Sequence, residues 1–215
     1  IVTISTKQNV INKLETNKAG KYKFNLYADE IFLISAQKEG FFQSEVELNT
    51  AGKEPNESIT QNLILEELSK EQTLQIGNIY YDFNSFALRK ESYLSLNKLA
   101  DFLTTNSNIA VEIGSHTDSR GTPLYNLQLS AKRSTSIVDY LKYKGISSER
   151  LVPEAYGEEK PVSPNASTEE EHQLNRRSEI KVLSMDYKTM PVKKSEKIDK
   201  LITPPISTNN IKNDE

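Results

Sequence analysis

Ser115-His116-Thr117-Asp118-Ser119-Arg120-Gly121-Thr122-Pro123-Leu124-Tyr125-Asn126-Leu127-Gln128-Leu129-Ser130-Ala131-Lys132-Arg133 joins the end of a strand to the opening turns of a helix. Upstream of it, Ile109, Val111 and Ile113 alternate with other residues at the period of a half-buried strand, which stops at Gly114. Downstream, the spacing predicts a long helix from about Tyr125 to Lys144, and Gly145 suits the left-handed cap that ends it. At 100° per residue, Asn126, Leu129 and Arg133 fall within about 60° of one another on that helix. One stripe therefore carries an amide, an apolar contact and a guanidinium, and its N-terminal end adjoins the loop that holds Asp118. An anion and a cation at positions 118 and 133 then face one cleft. Such a pair suits a zwitterion, because the carboxylate accepts from an ammonium while the guanidinium grips a carboxylate through two parallel bonds. The same two residues also fit a structural salt bridge with each other, the commoner arrangement because ion pairs outnumber ligand sites, and spacing leaves both readings open.

On both sides of this segment the strand-helix alternation continues. Ile79 to Phe83 reads as an opening strand, and Ser92 to Thr104 as a helix with Leu96, Leu99, Phe102 and Leu103 on one face. Leu151 to Tyr156 and Ser178 to Leu183 add two strands, with a short helix before the last. Residues 76–185 are thus expected to form an α+β or α/β sandwich of βαβαβ(α)β order. Residues 1–75 read as a small all-β sandwich. Tyr22, Phe24 and Leu26 alternate with Lys21, Lys23 and Asn25, and further strands are expected at Ile31 to Ala36, Phe42 to Leu48 and Asn62 to Leu68. Ala51 to Thr60, with Gly52, Pro55 and Asn56, reads as a loop. The tail, 186–215, carries Pro191, Pro204 and Pro205 among scattered lysines and is expected to be extended or disordered.

Composition removes several classes of function. The 215 residues carry a formal net charge of −3, with a sequence pI near 5.6, so no basic face announces a nucleic-acid partner. There is no cysteine, which excludes disulfides, thiolate metal sites and a cysteine nucleophile. No run approaches the roughly 18 apolar residues of a membrane helix. The chain begins at Ile1, so a piece of a longer protein is expected. No cofactor motif is present.

Ordered motifs across about 105 residues resemble the OmpA-like C-terminal domain family, shared by OmpA, the peptidoglycan-associated lipoprotein Pal and the flagellar stator protein MotB. Tyr81-Asp82-Phe83-Asn84 resembles the family's opening strand, and His116 to Pro123 with Tyr125-Asn126 resembles its signature. Leu129 to Arg133, Tyr140-Leu141, Gly145-Ile146, Arg150-Leu151, Tyr156-Gly157-Glu158, Pro161 and Asn175 to Glu179 follow in family order. The resemblance implies non-covalent binding of the diaminopimelate residue of a peptidoglycan stem peptide. It also implies that Asp118 and Arg133 hold the ligand's amine and carboxylate, with Phe83, Asn84, Thr117, Asn126 and Leu129 lining the pocket. A periplasmic location at the cell wall and outer membrane follows from it, with other outer-membrane or periplasmic proteins as possible partners. The rest of the protein, whether barrel, lipid anchor or repeats, would lie near the outer membrane. Two departures stand out: Glu171-His172-Gln173-Leu174 replaces the Gly-Arg often found before Asn-Arg-Arg, and Ser115 replaces the glycine before His-Thr-Asp.

Other candidates have plainer readings beside the functional ones. His116 near Asp118 suggests a metal, but two histidines and no cysteine make a poor zinc set, and a loop-orienting histidine is expected. Ser115, His116 and Asp118 contain the letters of a hydrolytic triad, yet such near neighbours do not adopt its geometry, and no enzyme is expected. Arg176 and Arg177 are accessory ligand candidates or partners of nearby acids. Tyr22, Phe24, Phe32, Phe41 and Phe42 read as sandwich core rather than a carbohydrate surface. Gly20-Lys21-Tyr22 and Lys38 to Phe41 resemble the regulatory β-sandwich of many surface proteins. The alternative to wall binding as the main task is therefore an envelope interaction protein whose N-terminal β-domain binds a protein or glycan, with wall binding only localising it.

Overall fold

The computed structural model describes residues 1–6, 9–54, 56–75, 79, 81, 85–190 and 196–202. The chain divides into two compact units, Ile1–Ser69 with Asp101–Ser107, and Lys70–Ala100 with Asn108–Glu215.

In the first unit, β1 (Val2–Ser5), β2 (Val10–Leu14), β3 (Ile31–Ala36) and β4 (Ser44–Asn49) form an antiparallel sheet in the order β2-β1-β3-β4. Alternate residues point one way, so Val2, Ile4, Phe32, Ile34 and Ala36 make one buried face. Tyr22, Phe24, Leu26, Leu63 and Leu65 pack onto it from two extended segments, 21–27 and 61–66. Strands were expected in both segments. The structure keeps their side-chain alternation but gives neither a ladder, because a period of two reports which face is buried and not whether a backbone is paired. Conversely, the mostly exposed Val10–Leu14 has no such alternation and is a strand all the same. Asp101–Ser107 completes this unit: Phe102 stacks on Phe42 at 5.7 Å, and Asn106 Oδ1 accepts from the Gly40 amide at 2.7 Å.

The second unit runs β5 (Thr73–Gln75), α1 (Tyr93–Thr105, whose last turns group with the first unit), β6 (Ala110–His116), α2 (Pro123–Tyr143), β7 (Leu151–Gly157), α3 (Glu169–Asn175), β8 (Ser178–Ser184) and α4 (Glu196–Ile202). The sheet order is β5-β8-β6-β7, with β6 and β7 parallel across the α2 crossover and the other pairs antiparallel. This is the mixed α/β layer that the alternating pattern implied. Ala110, Val111 and Ile113 of β6 and Ala131, Ile137, Val138 and Leu141 of α2 are buried.

A strand that the sequence reading did not place lies at Thr73–Gln75, where it pairs with β8. Of the strand expected at Ile79 to Phe83, Tyr81 makes an isolated bridge to Leu88, and Tyr80, Asp82 and Phe83 lie outside the described residues. The compact units divide after Ser69, where the sequence reading placed the domain boundary at residue 75. The tail is not extended throughout, since it folds a 3-10 turn at Tyr187–Thr189 and then α4.

Local chemistry fixes α2 at both ends. The Thr122 side chain caps it by accepting from the Tyr125 amide at 3.3 Å, and Pro123 occupies the first turn, where no amide proton is needed. At the other end Gly145, at φ 92°, lets the Ile146 amide reach back to the Leu141 carbonyl at 3.0 Å. Gly157, at φ 51°, ends β7 against the first turn of α2. A Cβ there would lie 3.1 Å from the Leu127 amide nitrogen, so only glycine permits this approach. α3 begins with a capping box between Thr168 and Glu171.

Helix α4 covers α2 and β7. Ile198 is 2% exposed and clusters with Ala131 and Ala155, with Leu127, Leu201 and Ile202 around it. Ile198→Ala removes a buried side chain from this seam, at a cost of about 2 kcal/mol. Denaturant unfolding of the full chain should show this loss, while the exposed Lys200→Ala should leave stability unchanged. Equal midpoints for Ile198→Ala and the parent would mean that α4 contributes no packing.

Candidate functional site

Strand β6 delivers the site loop. The Thr117 amide donates to the Gly157 carbonyl at 2.8 Å, so the loop leaves the sheet bound to the end of β7. Asp118 comes next and is 7% exposed. Its Oδ1 accepts from the Arg120 amide at 3.1 Å, and its Oδ2 from Arg120 Nη2 and Arg176 Nη1, each at 2.6 Å. Arg120 Nη1 also reaches Glu169 at 3.1 Å, and Arg176 pairs with Glu169 and Gln173. Burial alone would raise the Asp118 pKa, but the bonds from Arg120 and Arg176 outweigh it and pull the carboxyl from 3.8 down to about 2.

Asn126, in the first turn of α2 and 1% exposed, donates to the Asp118 carbonyl at 3.3 Å and to the Glu158 carboxylate. The Thr117 hydroxyl is buried with no hydrogen-bond partner among the described residues. Leu129 is half-buried on α2.

Arg133 sits one turn further along α2 than Leu129 and is 8% exposed. Its Nε donates to the Ser85 carbonyl at 3.3 Å, and its guanidinium lies over the Tyr81 ring, 4.5 Å from the centroid. Among the described residues no carboxylate is within ion-pair distance of it, and no salt bridge joins it to Asp118. Of the two readings that spacing left open, the direct structural pair is not the one formed. Desolvation lowers the pKa of Arg133, with Tyr81 opposing that shift and nearby Arg176 adding to it.

Arg133 opens on a cleft of about 70 Å³ lined by Ile79, Tyr81, His116, Arg133, Gln173, Arg176 and Arg177. Three guanidiniums therefore border one small space. Two of them are paired, Arg176 with Asp118 and Glu169, and Arg177 with Glu179 at 3.4 Å. His116 stacks on Tyr156 at 4.8 Å, and its Nε2 lies 3.1 Å from Glu179 Oε1. No group of three or more metal-ligating side chains gathers among the described residues.

Residues 80–176 match the OmpA family. These residues form an OmpA family domain. Among similar proteins, the peptidoglycan-associated lipoprotein of Buchnera aphidicola subsp. Baizongia pistaciae (strain Bp) is 41% identical over 110 residues, 51% of this chain and 63% of that protein. Outer membrane porin F of Pseudomonas aeruginosa is 35% identical over 106 residues, 49% of this chain and 30% of the porin. The chain thus spans less than two thirds of either relative. The crystal structure of the peptidoglycan-associated lipoprotein from Burkholderia pseudomallei, 29% identical, is covered over 87% of its length and 48% of this chain, with a TM-score of 0.45.

Within the OmpA family domain, the structure brings Arg133 together with the accessory candidates Arg176 and Arg177. Asp118 reaches the cleft through Arg176 and does not itself line it, and neither do Thr117, Asn126 and Leu129. Phe83 and Asn84 lie outside the described residues. Sequence reasoning missed Arg120 as a partner of Asp118, although only one residue separates them. It also missed Tyr81 as the face under Arg133. Glu169 and Gln173 left no local signal, because only tertiary folding brings α3 to the loop.

The depressed Asp118 pKa sets a pH dependence. A carboxyl that titrates lower in the folded chain than its ordinary 3.8 contributes stability that is complete above about pH 4 and lost as pH falls toward 2. Urea unfolding of the parent and Asp118→Asn should therefore differ most at neutral pH and converge between pH 4 and pH 2. A difference that stays constant over that range would remove the Arg120–Asp118–Arg176 network as its source.

Proposed function

We propose that the OmpA family domain binds diaminopimelate-containing peptidoglycan without catalysis and anchors an outer-membrane or periplasmic protein to the cell wall. The observation that carries this reading is Arg133. A buried guanidinium held over an aromatic ring, with no carboxylate partner among the described residues, is a receptor awaiting an anion. An uncompensated charge removed from water costs several kcal/mol, and a ligand carboxylate relieves that cost. Arg176 and Arg177 add positive potential to the same cleft. Asp118 supplies the opposite pole: among the described residues its Oδ1 accepts only the Arg120 amide, which leaves a lone pair for an ammonium group. A ligand bearing a carboxylate and an ammonium on one side chain, as diaminopimelate does, engages both. The names and family of the similar proteins support wall association, and with it a location at the periplasmic face of the outer membrane. The unit that begins at Lys70 is taken to carry this binding, with the first unit serving as spacer or interaction module.

Calorimetry with stem peptides tests the reading. A diaminopimelate peptide should bind, whereas its lysine counterpart, which lacks the second carboxylate, should bind at least tenfold more weakly, a difference of about 1.4 kcal/mol. Arg133→Ala and Asp118→Ala should each lose about 2–5 kcal/mol of affinity while circular dichroism shows a folded chain. Sacculi incubated with the parent should sediment with it and release no soluble muropeptides. Equal affinity for the two peptides would overturn the role of Arg133, and sustained release abolished by a point mutation would overturn the non-catalytic reading.

A further inference from the structure

The outer side of α2 carries a row of aromatic rings that the cleft does not use. At 100° per residue, Lys132, Ser136, Tyr140 and Tyr143 fall within about 80° of one another, and Arg133 lies about 20° beyond Tyr140. The Lys132 ammonium stands over the exposed Phe86 ring, 5.6 Å from its centroid. About two turns further along the helix, Tyr140 stacks on Tyr93 of α1, with ring centroids 5.4 Å apart and planes 12° from parallel. Tyr143, the last residue of α2, is 85% exposed, and the Lys144 ammonium lies 5.9 Å from the Tyr140 centroid.

The ring pair is held in place. The Tyr140 hydroxyl donates to Asn97 Oδ1 on α1 at 2.9 Å, which restrains the ring on which Tyr93 stacks. A ring restrained in this way gives up little conformational freedom on binding, and tyrosine offers a large flat face on two torsions. Neighbouring exposed rings along one side of a helix, interleaved with amines, mark a recognition surface. They fit a partner with flat C–H faces for the rings and polar oxygens at its edges for the ammonium groups, which describes a pyranose with hydroxyl and acetamido substituents. The row also begins at the cleft. Phe86 follows Ser85, whose carbonyl accepts from Arg133, and Tyr140 lies seven residues beyond Arg133, about 10 Å along the helix. Diaminopimelate is the third residue of a stem peptide, and three extended residues reach back about 10 Å to the sugar that bears them.

We propose that the side of α2 from Lys132 to Tyr143, together with Phe86 and Tyr93, binds the glycan strand from which the stem peptide hangs. Sugar rings lie with their C–H faces on Phe86, Tyr93 and Tyr143, while Lys132 and Lys144 donate to acetamido carbonyls and hydroxyls. Tyr140 buttresses Tyr93 from behind. Stem and glycan are one molecule, so even a weak sugar contact raises the total affinity through effective concentration, with no change in the cleft. This inference rests on the wall-binding reading and adds to it a second contact with the same polymer.

The test uses the full chain and three probes: a diaminopimelate stem peptide, the same stem on its N-acetylglucosamine–N-acetylmuramic acid disaccharide, and a peptide-free tetramer of N-acetylglucosamine. In calorimetry the sugar-bearing stem should bind roughly tenfold more tightly than the bare one. Tyr143→Ala should remove most of that gain and leave the affinity for the bare stem unchanged. Tyr143→Phe should keep the gain, because the ring face and not the hydroxyl makes the contact. The tetramer should shift the ring resonances of Tyr93 and Tyr143 in the parent and in Arg133→Ala alike. Equal affinities for the two stems, or a gain that Tyr143→Ala leaves intact, would overturn the proposal. So would sedimentation in which the parent self-associates and Tyr143→Ala does not, since a second copy would then be the occupant. If neither stem binds while the tetramer still shifts the tyrosines, the cleft reading fails and the sugar surface stands.

Discussion

A carboxylate taken out of water must have its lone pairs filled, and at Asp118 the filling groups come from distant parts of the chain. Arg120, two residues along the same loop, supplies both an amide and a guanidinium, and Arg176, at the junction of α3 and β8, supplies a second guanidinium. Glu169 in the first turn of α3 binds both arginines. The loop between β6 and α2 is thereby tied to the segment that leads into β8. With Gly157 admitting β7 against the first turn of α2, the tie determines where that helix starts and therefore where Arg133 projects. Removing one partner leaves a buried charge, which is why such a network is more costly to break than to replace as a whole.

The cleft shows the complementary situation. Arg176 and Arg177 have acidic partners, while among the described residues Arg133 has an aromatic face and one carbonyl. Cation–π contact offsets part of the desolvation of a guanidinium but leaves its forked donors available for a planar anion. In the proposed binding role the two tasks are separate: the Asp118 network holds the geometry, and Arg133, without a carboxylate partner among the described residues, supplies the charge for a ligand anion.

Much of this was legible in the sequence where structure is local. The end of α2 at Gly145 and the alternation of Ile109, Val111 and Ile113 each depend on near neighbours, and the corresponding elements lie within two residues of their expected ends. The stripe of Asn126, Leu129 and Arg133 follows from helix geometry alone. Illegible were the features that need a partner from far along the chain. Thr73–Gln75 is a strand because β8 lies beside it, and Glu196–Ile202 is seated by an apolar seam on α2 and β7. Segments 21–27 and 61–66 read as strands from side-chain period, yet pairing depends on what stands next to the backbone. The cleft itself combines Ile79 and Tyr81 with His116 of β6, Arg133 of α2, Gln173 of α3 and the Arg176-Arg177 pair, which no window of sequence contains.

The two charges proposed for ligand recognition also share a property that concerns durability. Asp118 stays ionised down to about pH 2, and a guanidinium stays protonated far into the alkaline range even when burial lowers its pKa. A grip built from this pair keeps one charge state through acid and mild alkali, whereas a grip built on histidine would let go within the physiological range. Attachment by the proposed site is therefore insensitive to mild acidification, above about pH 4, and is governed there by ligand supply.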